Sequence, residues 1–352
     1  MGNPLSKCCG QDTTTPNRDT SSLDETDETD ENNTTDAASS NVQIKKEKNY
    51  FLANEIPASE IKNLSTRPNV GGMGRIYLAE WKGQKVAIKE ASTHVISKEA
   101  SLEIPSPRLK ARMKGYEGVV QFCGVTLLND FEEVCIVTKY AEKGSLTWHL
   151  KVEYQNLTWD DKLRLATQMS TSIAHIHQEG IYHRDLHGGN ILIDAQGTAM
   201  LTDFGASTIM EERVKRNIKE YALEVSEADG DIYSLGVLLW ELTSGHSAFS
   251  KVPQDVHLAV AIMNGKRELP VEGTPEGYKA LYEKCWQSDP SQRPTTDEIL
   301  ETLTKVRASM TPEQLADTRT RSNIQYESLD VYEESMSIPR PTSDIQQHFI
   351  SE

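Results

Sequence analysis

The chain is 352 residues long and carries 53 acidic against 37 basic side chains, a formal net charge of −16. That balance argues against nucleic acid as a partner, because gripping a phosphate backbone calls for clustered Lys and Arg. Cys8, Cys9, Cys123, Cys135 and Cys285 show neither metal-ligand nor disulfide spacing, which points to a reducing, cytoplasmic environment. Cys123 and Cys135 lie in apolar, strand-like runs and read as buried thiols. There is neither an apolar run long enough to cross a bilayer nor the apolar core of a secretory signal.

The first residues nevertheless point to a membrane. Met1-Gly2-Asn3-Pro4-Leu5-Ser6 fits the N-myristoylation pattern, with Gly2 exposed after Met removal and Ser6 at the required position. One myristoyl chain gives only marginal binding, with K on the order of 10⁴ M⁻¹, and palmitoylation of Cys8 or Cys9 would supply a second anchor. The alternative is an ordinary initiator sequence with two adventitious cysteines. The acylated reading places the protein on the cytosolic face of a membrane, the plasma membrane being the expected one. From Gln11 to Ser40 there are nine acids and one base and almost no hydrophobic side chains. Residues 1–48 therefore read as a disordered acidic segment, either a tether or simply a solvated stretch.

Order is expected from about Lys48 to Val306, as strands and then helices. A glycine-rich hairpin, Asn69-Val70-Gly71-Gly72-Met73-Gly74-Arg75-Ile76, precedes the strand Val86-Ala87-Ile88-Lys89. Lys98 to Arg108 follows, where Pro105 and Pro107 should interrupt any helix. Val134-Cys135-Ile136-Val137 reads as a buried strand, and Leu163, Ala166, Met169, Ile173 and Ile176 recur at helical spacing. His175 and His177 near that helix's end could form half a metal site, but with no completing ligand the simpler reading is one packed and one exposed histidine. Next come His183-Arg184-Asp185-Leu186-His187-Gly188-Gly189-Asn190 and Asp203-Phe204-Gly205. An Asp that can take a hydroxyl proton, then an Asn and a second Asp as hard oxygen donors for Mg²⁺, are what phosphoryl transfer from a metal–nucleotide needs. Farther on, Ile232 to Trp240 is apolar on nearly every face and should be a buried helix.

The run from His183 to Gly205 resembles the catalytic and metal-binding segments of eukaryotic protein kinases, in wording closest to the tyrosine-kinase-like group. That resemblance implies an α+β, bilobal protein-kinase fold over residues 49–307. A small β-rich N-lobe (49–141) would sit on a larger helical C-lobe (142–307), with a disordered tail over 308–352. It implies ATP and Mg²⁺ as cofactors and a protein as substrate. Asp185 would be the base, Lys89 the ATP lysine, and Asn190 and Asp203 the metal ligands. Val70, Gly71, Gly72, Gly74, Ile76 and Ala87 would enclose the nucleotide with Lys89. Thr138 would be the gatekeeper, and backbone groups of Lys139 and Ala141 would meet adenine. Asp231 would hold the catalytic loop, a helix N-cap being the simpler role for it.

Several positions depart from the family pattern. Asn69 replaces the first glycine of the loop. The glutamate that usually pairs with the ATP lysine counts forward to Glu103 but counts back from Val119-Val120 to Pro107-Arg108. The activation segment after Gly205 is short, its usual ending represented by Ala222-Leu223-Glu224. Glu224 would pair with Arg293, and Ser207, Thr208 and Tyr221 are hydroxyls that could be phosphorylated. His187 stands where serine/threonine kinases place Lys, and Gly188-Gly189 matches neither acceptor class; the leaning is to Ser/Thr. A lipid-anchored active kinase and a membrane-tethered pseudokinase scaffold both follow from these residues. Tyr326 and Tyr332, in acidic surroundings, read as phosphorylation or docking sites or as part of a solvated tail.

Overall fold

The computed structural model describes residues 54–65, 69–71, 74–90, 107–128, 133–209, 221–253 and 255–318. Gly2, Cys8, Cys9, Gly72, Glu103, Tyr326 and Tyr332 lie outside them. The small lobe is one antiparallel sheet of β1 (Asn69–Gly71), β2 (Gly74–Trp81), β3 (Gln84–Glu90), β4 (Phe122–Leu128) and β5 (Glu133–Lys139), in the order β1-β2-β3-β5-β4. Alternation in β3 sends Val86 and Ile88 into a core with Ile56, Ala79, Cys135 and Val137. Ala87 and Lys89 consequently take the other face. The β3–β5 register sets Ala87 opposite Thr138 and Lys89 opposite Ile136. Asn69 is extended in β1 and pairs with Ile76, so this position asks for no left-handed backbone and tolerates the loss of glycine. Cys135 is fully buried, whereas Cys123 is only half-buried.

The proline-containing segment resolves at its C-terminal end. Helix α1 (Pro107–Met113) is described from Pro107 onward, so this proline lies in helical backbone, where an interruption was expected; Pro105 lies outside the described residues. The position counted back from Val119-Val120 thus falls in the first turn of α1, on Pro107 and Arg108, and neither is an acid.

In the large lobe, α2 (Leu146–Glu153) follows the inter-lobe link, and α3 (Trp159–Gln178) starts from a capping box of Thr158 and Asp161. The expected stripe of α3 (Leu163, Ala166, Met169, Ile173, Ile176) is buried throughout. Lys162 is buried with it, its ammonium 4.5 Å from the Tyr154 ring and 5.3 Å from that of Trp159. Burial pulls its pKa down to about 8, against the opposing charge of Asp317. Short hairpins carry the site: β7 (Ile191–Ile193) pairs with β8 (Ala199–Leu201), and β6 (Ile181–Tyr182) with β9 (Thr208–Ile209).

Helix α4 (Tyr221–Ser244) runs through the lobe, with Ile232, Leu235, Leu238, Leu239 and Trp240 buried. Its start lies well upstream of Asp231, which is therefore an interior helical residue and no N-cap. Helices α5 (Val256–Met263), α6 (Glu276–Cys285), α7 (Thr296–Ser309) and α8 (Pro312–Leu315) complete the lobe. Order thus continues past the boundary expected at residue 307, and the Asp317 carbonyl accepts the Trp159 N–H.

Helices α4 and α6 touch through Gly236. A Cβ there would sit 2.6 Å from the Cys285 Cβ and 3.1 Å from the Trp286 nitrogen and the Tyr282 carbonyl oxygen. Gly236→Ala should therefore destabilise the domain by about 1–3 kcal/mol, the usual cost of overpacking, despite alanine's better helix propensity. Chemical denaturation reads this directly, and unchanged stability would refute the tight α4–α6 contact.

Candidate active site

The loop from His183 to Asn190 is held from below by one carboxylate. Asp231, 1% exposed, accepts the His183 N–H at 2.8 Å on Oδ2 and the Arg184 N–H at 2.8 Å on Oδ1. His177 Nε2 lies 2.9 Å from Oδ2. These bonds fix Arg184 in left-handed backbone, φ 68°, which an L residue seldom adopts unaided. His177 is thus bonded to Asp231 and His175 stacks on Tyr116 at 3.8 Å, so neither is the exposed member of the pair that was expected. Among the described residues, no group of three or more His, Cys, Asp or Glu side chains could hold a metal ion.

His183 is fully buried, and burial depresses its pKa, so the ring is neutral. Its Nε2 reaches the Thr202 carbonyl at 2.9 Å, which requires the proton there, while Nδ1 accepts the Asp185 N–H at 3.4 Å. The ring also meets Phe204 at 4.8 Å. The loop and the Asp203 segment are in this way braced against each other. Asp185 itself is more than half exposed at the cleft.

Asn190 donates from Nδ2 to the Asp185 carbonyl at 2.8 Å and to its carboxylate at 3.1 Å. Its Oδ1 is buried and bonded to nothing among the described residues. A buried amide oxygen without a donor suits a cation, and together with the Asp203 carboxylate it forms the hard oxygen pair that Mg²⁺ takes. Asp203 has φ 62° and receives Lys89 Nζ at 2.7 Å. Sequence reasoning sought a glutamate for this lysine at Glu103, which lies outside the described residues; the described partner is Asp203.

Between the lobes lies a cavity of about 800 Å³, lined among others by Ile76, Ala87, Lys89, Thr138, Lys139 and Asp203. Ala141 is buried against Val120, Leu192 and Met200. The Lys139 N–H is spent on the Gln121 carbonyl, so only its carbonyl is left to meet a base. Val70, Gly71 and Gly74 belong to β1 and β2, while the Glu224 side chain is outside the described residues. The described bonds of Arg293 run to the carbonyls of Asp229, Gln287 and Ser288. Ser207 is bonded through Oγ to the Phe204 carbonyl at 2.6 Å.

A model of the protein tyrosine and serine/threonine kinase family matches residues 65–303. The chain belongs to that family. The kinase resembles the probable serine/threonine-protein kinase pats1 of Dictyostelium discoideum, at 30% identity over 271 residues, covering 69% of this chain and 8% of that protein. It resembles the serine/threonine/tyrosine-protein kinase HT1 of Arabidopsis thaliana at 30% over 251 residues, covering 67% and 64%. The mitogen-activated protein kinase kinase kinase 10 of Xenopus laevis matches at 29% over 279 residues, covering 72% and 27%. The chain spans less than two thirds of the length of each of these relatives.

The family frame explains Gly188. A Cβ there would lie 2.5 Å from Thr147 Oγ1 and 3.1 Å from Glu241 Oε2, so the loop passes too close to α2 and α4 for a side chain. Glu241 escaped sequence analysis, although an acid directly after an all-apolar helical run was the signal for it. Its Oε1 accepts the Ala248 N–H at 3.0 Å, and Oε2 is buried without a partner. Burial raises its pKa from 4.5 to about 7. The unfolded chain releases this proton near pH 4.5 and the folded kinase only near 7, so stability falls as pH rises through that window. Glu241→Gln should remove a penalty of about 3 kcal/mol at pH 8 and leave stability at pH 4 nearly unchanged. Denaturation of both proteins at the two pH values tests this, and parallel pH dependence would refute it.

Proposed function

We propose that this kinase transfers the γ-phosphate of ATP to serine or threonine hydroxyls of a protein. The observation that carries the reading is the braced loop that presents the Asp185 carboxylate beside Asn190, whose buried Oδ1 has no donor. The acceptor hydroxyl oxygen forms a bond to the γ-phosphorus, the bond to the β–γ bridging oxygen breaks, and ADP leaves. Asp185 accepts the hydroxyl proton as this happens. Lys89 orients the phosphates, and Asn190 and Asp203 are the residues to hold Mg²⁺. When bound, that ion neutralises charge on the phosphate oxygens. The Ser/Thr assignment leans on the printed names of relatives such as pats1.

His187 supports the reading as a stand-in for the absent lysine. Its Nδ1 accepts the Gly189 N–H at 3.1 Å, so the neutral ring carries its proton on Nε2, which lies 3.8 Å from Asp185 Oδ2. An Nε2–H at that place can donate to a transferring phosphoryl oxygen. Asp185→Asn should abolish Mg²⁺-dependent transfer from ATP to a generic protein substrate, losing about 10²–10⁴-fold or more. His187→Ala should lower kcat while leaving ATP binding intact, and wild-type turnover would remove His187 from the mechanism. Folded wild type that binds ATP but transfers nothing would leave the scaffold reading.

The N-terminus adds a location. Myristate on Gly2 with palmitate on Cys8 or Cys9 would hold the kinase on the cytosolic face of a membrane, the plasma membrane in our reading. Gly2→Ala should move the protein from the membrane pellet to the soluble fraction on cell fractionation, and unchanged partitioning would defeat the anchor.

A further inference from the structure

Helix α5 is unlike the rest of the large lobe. Of its eight residues only Leu258 is buried. Val256, Val260 and Met263 are 74%, 49% and 81% exposed, and Leu269 just beyond is 81% exposed. These are four of the six large hydrophobic side chains exposed among the described residues, so the patch is a concentration and not the usual scatter. Their positions i, i+4 and i+7 put Val256, Val260 and Met263 on one helix face. That is also the spacing of a helix–helix seam.

Both ends of the stripe are built firmly and oppositely charged. Asp255 caps the N-terminus, its Oδ1 accepting the Leu258 N–H at 3.1 Å, while Oδ2 points toward His257 at 3.4 Å. At the other end Gly265, φ 92°, lets the chain turn so that the Lys266 N–H reaches the Ala261 carbonyl at 2.9 Å, leaving the exposed Lys266 next to the last turn. Along the chain an acid thus precedes an apolar stripe about 10 Å long and a lysine follows it, the exposed Lys266 having its ammonium 6.0 Å from the Phe249 ring.

We propose that α5 is a self-association surface, through which two copies of the kinase pair antiparallel about Val260. Two-fold symmetry then sets Val256 against the partner's Met263 and Asp255 against the partner's Lys266, each contact occurring twice. The parallel alternative would oppose like charges at both ends. Antiparallel pairing also sets each helix's positive end beside the other's negative end. Charge and pattern together select a second copy as the occupant, because the surface complements itself.

The test uses the full chain carrying Gly2→Ala, so that no lipid drives association, in sedimentation equilibrium over a concentration series. Wild-type α5 should give a monomer–dimer equilibrium without higher species, since an isologous pair closes. Val260→Asp would bury an uncompensated carboxylate and should weaken dimerisation by at least about 100-fold. Because Val260 is exposed, the variant should keep its melting temperature and phosphotransfer activity. Lys266→Glu should also weaken the dimer, and Asp255→Ser in that background should restore it, as serine keeps the helix cap while removing the repulsion. A monomer at every concentration, or a dimer indifferent to Val260→Asp, overturns the proposal. A dimer lost in Val260→Asp but unmoved by Lys266→Glu overturns the antiparallel register. A monomer in which Val260→Asp raises KM for protein substrate alone would assign the stripe to substrate instead, and that too overturns it.

Discussion

The Asp231 carboxylate is the constraint on which the rest of the site depends. It sits inside α4, almost wholly out of water, and binds two successive backbone N–H groups and the His177 ring. A buried charge of this kind is tolerable only when its lone pairs are filled, and these three donors fill them. The backbone thereby forced at Arg184 turns the chain so that His183 faces inward to Thr202 and Phe204, while Asp185 faces the cleft. Without the carboxylate, two backbone N–H groups of the left-handed turn would lose their acceptor.

A second layer of constraint comes from close approach. Gly188 and Gly236 have no room for a side chain, one where the catalytic loop crosses Thr147 and Glu241, the other where α4 meets α6. The loop is thus fixed on two sides, by hydrogen bonds to Asp231 and by contact above Glu241. Such a loop needs little further ordering when substrate arrives. Phosphoryl transfer depends mainly on positioning and charge, so this pre-arrangement is the protein's main contribution.

The fold and the chemistry-bearing residues were legible in the sequence to the extent that they rest on local pattern. The glycine-rich hairpin ahead of Val86-Ala87-Ile88-Lys89 marked β3 by resemblance, helical spacing marked α3, and the order of Asp185, Asn190 and Asp203 marked the chemistry. What depends on long-range partners was not legible. One of His175 and His177 was expected to be exposed, and the partner of His177 was hidden because it lies 54 positions away in sequence. Asp231 does accept the catalytic-loop N–H groups as the resemblance implied, and only the simpler cap reading fails, because nothing local shows that α4 extends back to Tyr221. Pro107 signalled a break and is found in helical backbone, since a proline's effect depends on the turn of the helix it occupies. The described contact of Lys89 lies across the cleft, on Asp203, while Glu103, the partner sought along the chain, lies outside the described residues.

That last pair bears on whether the kinase turns over. Lys89 and Asp203 are each about a quarter exposed and in direct contact, so the bond is partly screened and worth on the order of 1 kcal/mol. Both groups have stronger partners in a nucleotide complex. Phosphate oxygens suit the ammonium, and a divalent ion suits the carboxylate. A pair this weak between two groups that a metal–nucleotide would separate is a resting contact and not a lock. The acid that Lys89 contacts across the cleft is the one a bound metal would claim. Exchange of that partner would then couple nucleotide arrival to the freeing of Asp203.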